Sequence, residues 1–384
     1  MPTKIQVIKA FGKNFKTVPK LFFSPGRINL IGEHIDYNDG FVLPAAIDKG
    51  IWIALAPNYT NTVNIISLDF KEHFSFELSD VSRSTGWKNY VMGVLNTMLN
   101  TNLPFNGFDC VLGSNLPMGS GLASSAAIEC GLMEAINNTF HIKLFPQTIA
   151  ALCQQAEHTY PEVKCGIMDQ FANMLGKKDH VILLDCSNLE HKYIPIKLND
   201  YAIVVINSGV RHTLINSEYN LRRRQCWKGL NIIKNLDPYI HTFRDLDVAK
   251  LYTFEKELSK VVFKRCMYVV EEIKRTKRAA DLLKQSRFQE MGQLMYQSHE
   301  GLRKQFEVSC AELNFLVDQS SQYSEVVGAR LMGGGFGGSS IHLIEKENAP
   351  EIVKEISSAY KNKFKKEAES YFVKISKGTH QIAL

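Results

Sequence analysis

A chain of 384 residues with 45% hydrophobic and 22% charged side chains has the proportions of a soluble globular protein, long enough for two cores, and not those of a disordered or membrane-embedded chain. The formal net charge of +6 is modest, and its clusters (Arg222-Arg223-Arg224, Lys274-Arg275-Thr276-Lys277-Arg278, Lys363-Phe364-Lys365-Lys366) read as solvated helix faces, so no nucleic-acid partner is expected. No uncharged apolar run is long enough to span a membrane, the first residues lack the apolar core of a secretory leader, and eight cysteines without a Cys-x-x-Cys pair point to reduced thiols in a cytoplasm, not to zinc.

Residues 4–15 are expected to form an amphipathic helix with Ile5, Ile8, Ala10 and Phe11 on one side, and Leu21-Phe22-Phe23 opens a strand. That strand runs into SPGRINLIGEHIDYNDGFVLPAAID, residues 24–48, which crowds Arg27, Glu33, His34, Asp36 and Asp39 between apolar residues. Arg27 is either a surface charge or the rigid fork of donors that a moving phosphoryl group needs. Glu33 and Asp36, with His34, are either a polar turn or a grip on sugar hydroxyls, since one carboxylate can accept from two neighbouring hydroxyls. The spacing of Asp36, Asn38 and Gly40 does not fit a calcium loop.

Ile51–Ala56, Thr62–Ser67 and His73–Leu78 alternate like strands of an antiparallel sheet, and Trp87–Leu99 reads as a helix with Val91, Val94, Leu95 and Met98 on one face. A strand-like segment, Phe108–Leu112, then leads into GSNLPMGSGLASSAAIEC, residues 113–130, where a loop with Gly119 and Gly121 opens a helix at Ala123–Ser125. Glycines let the backbone approach closely, and the unpaired N–H groups and dipole of the helix start favour an anion; an ordinary turn before a core helix is the competing reading. The loop is neither a Walker A loop, since Leu122 and Ala123 follow Gly121, nor a dinucleotide fingerprint, since Ser124 stands at the third glycine position. It has no lysine, so charge compensation must come from elsewhere.

Pro146–His158 reads as a helix that ends in Glu157-His158, and CGIMDQFANMLG, residues 165–176, follows. Asp169 sits there in a near-continuous apolar context, where a carboxylate needs a cationic partner; it is either half of a structural salt bridge or a group that orients or deprotonates a hydroxyl. Glu157 with a serine hydroxyl and phosphate oxygens could hold Mg²⁺, which takes few protein ligands. Strands are expected at Val181–Leu184, Tyr193–Ile196 and Ala202–Asn207, with the domain boundary between the last two. A helix carries SEYNLRRRQC, residues 217–226, two longer helical regions span about 255–305, and VVGARLMGGGFGGSSIHLI, residues 326–344, joins a strand to a glycine-dense loop that serves as a tight connection or a second wall of a nucleotide pocket.

Taken together these stretches resemble the GHMP kinases and, within them, the galactokinase branch. SPGRINLIGEHIDYNDGFVLPAAID is similar to its sugar signature, LPMGSGLASSAAIEC to the family's phosphate loop and GARLMGGGFGGSS to its third motif; CGIMDQF and NSGVRHTLINSEYN are similar as well. The resemblance runs in family order from about residue 22 to 344. It implies a two-domain α+β fold with mixed and antiparallel sheets, divided into residues 1–195 and 196–384, with the active site between the lobes. The implied reaction is ATP-dependent phosphorylation of the anomeric hydroxyl of α-D-galactose, the first step of galactose use, by a cytoplasmic monomer acting on small molecules.

By the same resemblance, Arg27 would stabilise the transferring phosphate and Asp169 would be the base or orienting carboxylate. Glu33, His34, Asp36, Gly166 and Tyr219 would hold the sugar, Gly119, Ser120, Gly121, Leu122, Ala123, Ser124 and Ser125 would cradle the triphosphate of ATP, and Ser125 with Glu157 would reach Mg²⁺. Three departures stand out: Ala123 replaces a commonly seen serine, Ser339 stands where cysteine is frequent with no effect expected, and Ile35 stands where threonine is usual, as it also does in N-acetylgalactosamine kinases. That sugar is the alternative substrate, and a catalytically silent galactose/ATP sensor is the alternative of another class. Silent relatives lose small residues from the loop, whereas Ser124-Ser125-Ala126-Ala127 is complete here.

Overall fold

Val7 and Phe11 fall one turn apart on the first helix, and both are fully buried. In this computed structural model, which describes residues 1–117, 119–210 and 215–383, that helix (α1, Lys4–Asn14) opens with a capping box: the Thr3 hydroxyl accepts from Gln6 N at 3.3 Å, and the Gln6 side chain takes Thr3 N at 2.8 Å. It packs on a sheet built from β1 (Lys20–Asn29), which is buried through Asn29. The short β2 (Phe41–Val42) precedes β3 (Pro44–Pro57), a single strand of which the expected Ile51–Ala56 is the second half. β4 (Thr62–Ser67) and β5 (Glu72–Glu77) alternate in burial as their sequences alternate.

After α2 (Lys88–Asn100), β6 (Phe108–Ser114) completes the run β1-β3-β6-β4-β5, antiparallel except for the parallel pair β4 and β6. α3 (Ser124–Thr139) and α5 (Met168–Leu175) cover one face of this sheet, and α4 (Pro146–Thr159) packs on them and on α2. The approach of α3 is set by Gly131, where a Cβ would overlap Ser24 of β1 and Ile53 of β3. β7 (His180–Asp185) and β8 (His191–Pro195) form a small sheet with β2.

The second sheet begins with β9 (Tyr201–Asn207). The helical stretch that follows comprises α6 (Ile215–Leu236), α7 (Val248–Tyr252), α8 (Lys260–Lys284), α9 (Phe288–Gly301) and α10 (Ala311–Ser320). β10 (Val326–Met332), β11 (Ser339–Glu345) and, after α11 (Ala349–Phe364), β12 (Glu369–Val373) then give an antiparallel sheet in the order β10-β11-β9-β12. The final strand, β13 (His380–Ile382), leaves this sheet and pairs with β1, so the chain crosses between the two halves twice.

The architecture is the expected α+β arrangement of helices on mixed and antiparallel sheets. α5, α11, β12 and β13 are not among the elements expected from sequence; α11 is amphipathic and buries Ile352, Val353, Ile356 and Tyr360, whereas α5 is only eight residues long and β13 three. Residues 211–214 of the stretch NSGVRHTLINSEYN lie outside the described residues, as does Met118 of the glycine loop.

Candidate active site

Arg27 lies near the end of β1, where its backbone N–H donates to Leu122 O at 3.1 Å and so ties the strand to the glycine loop. Its guanidinium closes a fork on Asp169 of α5, Nε to Oδ1 at 2.8 Å and Nη2 to Oδ2 at 3.0 Å, and Nη1 donates to Gly121 O at 2.5 Å. The arginine side chain is 5% exposed and the aspartate 26%, so the carboxylate presents an edge to solvent while its partner is sealed behind it. Burial raises the Asp169 pKa above the usual carboxylate value and Arg27 works against that rise; burial likewise opposes the Arg27 charge, yet Asp169, Glu33 and Asp36 keep its pKa above the ordinary value.

Beyond Arg27 the chain turns through Glu33, His34 and Asp36. Burial penalises the Glu33 charge, but Arg330 and Arg27 hold its carboxylate below the usual range; Oε1 accepts from Arg330 Nη2 at 3.1 Å and from Gly333 N at 2.8 Å. His34 adopts a left-handed φ of 62° and shares Nδ1 with the Tyr37 hydroxyl at 2.7 Å. Burial pulls its pKa down to about 4 against the opposing pull of Glu33 and the Gly334 backbone, so the imidazole is neutral. Tyr219 of α6 lies 5.2 Å from the His34 ring, centroid to centroid. Asp36 accepts from Tyr37 N at 3.0 Å, and burial with the neighbouring Asp169 and Glu33 pushes its pKa up to about 7. A Cβ on Gly166 would overlap the Asp36 carboxyl group, which accounts for a glycine there.

These groups line one cavity of about 250 Å³. It contains Arg27, Glu33, His34, Asp36, Gly166, Asp169 and Tyr219, and from the loop and helices Gly121, Ala123, Ser124, Ser125 and Glu157. Gly119, Ser120 and Leu122 do not line it: Gly119 is exposed, Ser120 turns its hydroxyl to Pro117 O at 2.7 Å, and Leu122 is buried in the core. Ala123 holds a left-handed conformation (φ 58°) that sets α3 off with Ser124 and Ser125 at its start. Glu157 is buried; its Oε2 accepts from Gln170 Nε2 at 2.6 Å, and burial together with Asp169 pushes its pKa up to about 7.

Three family models match this chain: the galactokinase galactose-binding signature over residues 9–57, the GHMP kinase N-terminal domain over 89–177 and the GHMP kinase C-terminal domain over 279–362. The galactokinase of Chloroflexus aggregans is 40% identical over 357 residues, 92% of this chain and 91% of its own length, and that of Clostridium tetani is 38% identical over 99% of this chain and 97% of its own. The chain belongs to the galactokinase family. A solved galactokinase from Lactococcus lactis in complex with galactose superposes with a TM-score of 0.94 at 30% identity, covering 98% of both chains. A mevalonate kinase at 20% identity shares the fold, with a TM-score of 0.64 over 92% of this chain and 98% of its own.

Two of the departures from the galactokinase pattern acquire a physical meaning. Ile35 is fully buried in the core and does not line the cavity, so its side chain is not part of the cavity wall. Ser339, read from sequence as neutral, donates its hydroxyl to Ser120 O at 2.6 Å and anchors the glycine loop to β11. Among the residues that galactokinase motif reading passed over, Tyr90, Cys165 and Met168 line the same cavity, with Gly333 and Gly334 from the third motif.

A second cavity of about 210 Å³ shares Tyr90, Ser124 and Ser125 with the first and continues to Asp69, Phe70, Trp87 and Ile128. Phe70 and Trp87 stack at 5.4 Å with planes 2° apart. Aromatic residues 17 positions apart carry no local pattern, so this wall leaves no sequence signature. Among the described residues no group of three or more His, Cys, Asp or Glu side chains gathers into a metal cage.

Proposed function

We propose that this galactokinase-family kinase transfers the γ-phosphoryl group of ATP to the anomeric C1 hydroxyl of α-D-galactose. The observation that carries the reading is the fork between Arg27 and Asp169, with the open edge of the carboxylate in the cavity that also holds Glu33, His34 and Asp36. The sugar hydroxyl gives its proton to Asp169 as the C1 oxygen forms its bond to phosphorus, the bond from phosphorus to the bridging oxygen breaks, and ADP leaves. Arg27 holds the carboxylate in place and offsets negative charge on the moving group. Neutral His34 and the carboxyl groups of Glu33 and Asp36 meet the sugar hydroxyls, and Tyr219 closes the apolar side.

The triphosphate follows the start of α3, where Ser124 and Ser125 line the cavity and the first N–H groups of a helix favour an anion, with Gly119, Ser120 and Leu122 shaping the turn beneath. The adenine occupies the second cavity against Phe70 and Trp87. Ser125 and Glu157 suit Mg²⁺: both line the cavity and offer hard oxygen donors, and burial with Asp169 nearby raises the Glu157 carboxyl towards neutrality, which a cation beside it would reverse. Bound there, the ion would neutralise phosphate charge. The lobes divide at about residues 195 and 196, with the last strand returned to the first lobe, and the protein acts as a cytoplasmic monomer; eight free thiols, five of them buried, support the reducing compartment.

The test is ADP release with Mg-ATP and galactose, N-acetylgalactosamine, glucose or no sugar. Turnover confined to galactose is the expected result. A preference for the acetylated sugar would overturn the substrate, and silence with every sugar in protein that still binds ATP and galactose would make the chain a sensor.

A further inference from the structure

Both passages of the backbone between the two sheets border one crevice of about 710 Å³, and none of its lining residues belongs to the kinase cavities. The first passage, residues 196–200, joins β8 to β9; the second leaves β12 at Val373, and Ile375 bridges Ile47 of β3. The floor is apolar: Ile196, Ile203, Val373 and Ile375 are buried, while Phe372 remains 46% exposed.

Lys178, Lys197, Lys346 and Lys374 stand around that floor, all exposed, against Asp179 in the lining and Asp48 beside it, whose Oδ1 accepts from Lys374 N at 2.9 Å. Among the described residues, none of these four ammonium groups takes part in an ion pair. Cations collected around one crevice repel one another and here outnumber the acids beside them, so an anion gains from several of them at once. An apolar floor of this size adds the burial of a hydrophobic body, within the range of ~300–1,000 Å³ usual for small-molecule sites.

We propose that this crevice binds a small anion with an apolar body, of the aryl or acyl phosphate, carboxylate or sulfonate class, and that its occupant braces the two lobes. It touches both covalent crossings, so it bears on the angle between the walls of the kinase site without entering that site.

The probe is 8-anilinonaphthalene-1-sulfonate, an apolar ring system with one sulfonate, titrated by fluorescence into protein saturated with galactose, Mg²⁺ and a non-hydrolysable ATP analogue. One saturable class is expected. Its dissociation constant should rise at least about tenfold in Lys197→Glu/Lys374→Glu and also increase with salt. It should not change in Lys16→Glu/Lys228→Glu, a pair of exposed lysines outside the crevice. Equal binding by the two double variants, each melting like the parent, or no saturable signal at all, overturns the site. Galactose-dependent ADP release reads the bracing: a change in kcat with probe that is absent from Lys197→Glu/Lys374→Glu supports it, and an unaltered kcat with the crevice filled overturns it.

Discussion

As the proposed base, Asp169 is under two opposed demands. A general base must be ionised, which the Arg27 fork secures, and must still attract a proton, which burial secures by raising its pKa. Asp169→Asn keeps the shape and loses the proton acceptor, so turnover should fall roughly a hundredfold or more while calorimetry still detects galactose binding; undiminished turnover would remove Asp169 from the mechanism. Asp36 makes a second prediction through its protonation. Its pKa rises from 3.8 to about 7 on folding, so between those values the folded protein holds a proton that the unfolded chain releases. Stability from this group therefore falls as pH rises through that window and levels off above it. The thermal midpoint of sugar-free Asp36→Asn should decline less across that range than the parent's, and parallel curves would mean that Asp36 is ionised throughout. Both acids were conspicuous in the sequence because they interrupt apolar runs, but their partners were not.

At the level of elements, the glycine loop does not hold itself. Its helix begins only after Ala123 turns left-handed, and its carbonyls are claimed from outside: Leu122 O by the Arg27 backbone, Gly121 O by the Arg27 side chain and Ser120 O by Ser339. The last bond comes from β11, in the other sheet, so the loop is clamped between the lobes. Ser339→Ala leaves a buried carbonyl without its donor. Denaturant unfolding should register a loss of about 1–3 kcal/mol, with KM for ATP rising more than kcat falls, and Ser339→Cys, which keeps a weaker donor, should lie between. A parent-like midpoint in the alanine variant would mean that water replaces the hydroxyl. The loop itself was legible from two glycines before small helix-formers, because backbone sterics act over a few residues; its clamp was not, because the donor lies 219 positions away.

Across the whole molecule, the junction of the lobes runs through Arg330. This side chain from β10 is fully buried and donates to Leu30 O at 2.7 Å, to Leu331 O at 2.6 Å, to Asn29 O and to the Glu33 carboxylate. It joins the second sheet to the end of β1 and fixes Glu33, an acid of the candidate cavity, in the same contact. Arg330→Met removes the cation and strands Glu33 in the interior, so a loss of roughly 3–5 kcal/mol is expected in unfolding experiments, together with loss of galactose binding. Retained sugar affinity in a variant that still folds would show that Glu33 needs no such support.

What the sequence determined by itself is whatever acts at short range: the strand and helix periods, the glycine turn before α3, and acids and arginines set in apolar surroundings that require partners. The family motifs added the order of those pieces and their reaction. Only the tertiary structure decided which charges meet, since Arg27 finds Asp169 across 142 positions and Glu33 finds Arg330 across 297. It also decided that Phe70, Trp87 and Ile128 share a cavity wall and that a three-residue strand returns to β1. Such pairings gain their energy from burial and from water removed at the moment of packing, and no spacing along the chain encodes that quantity.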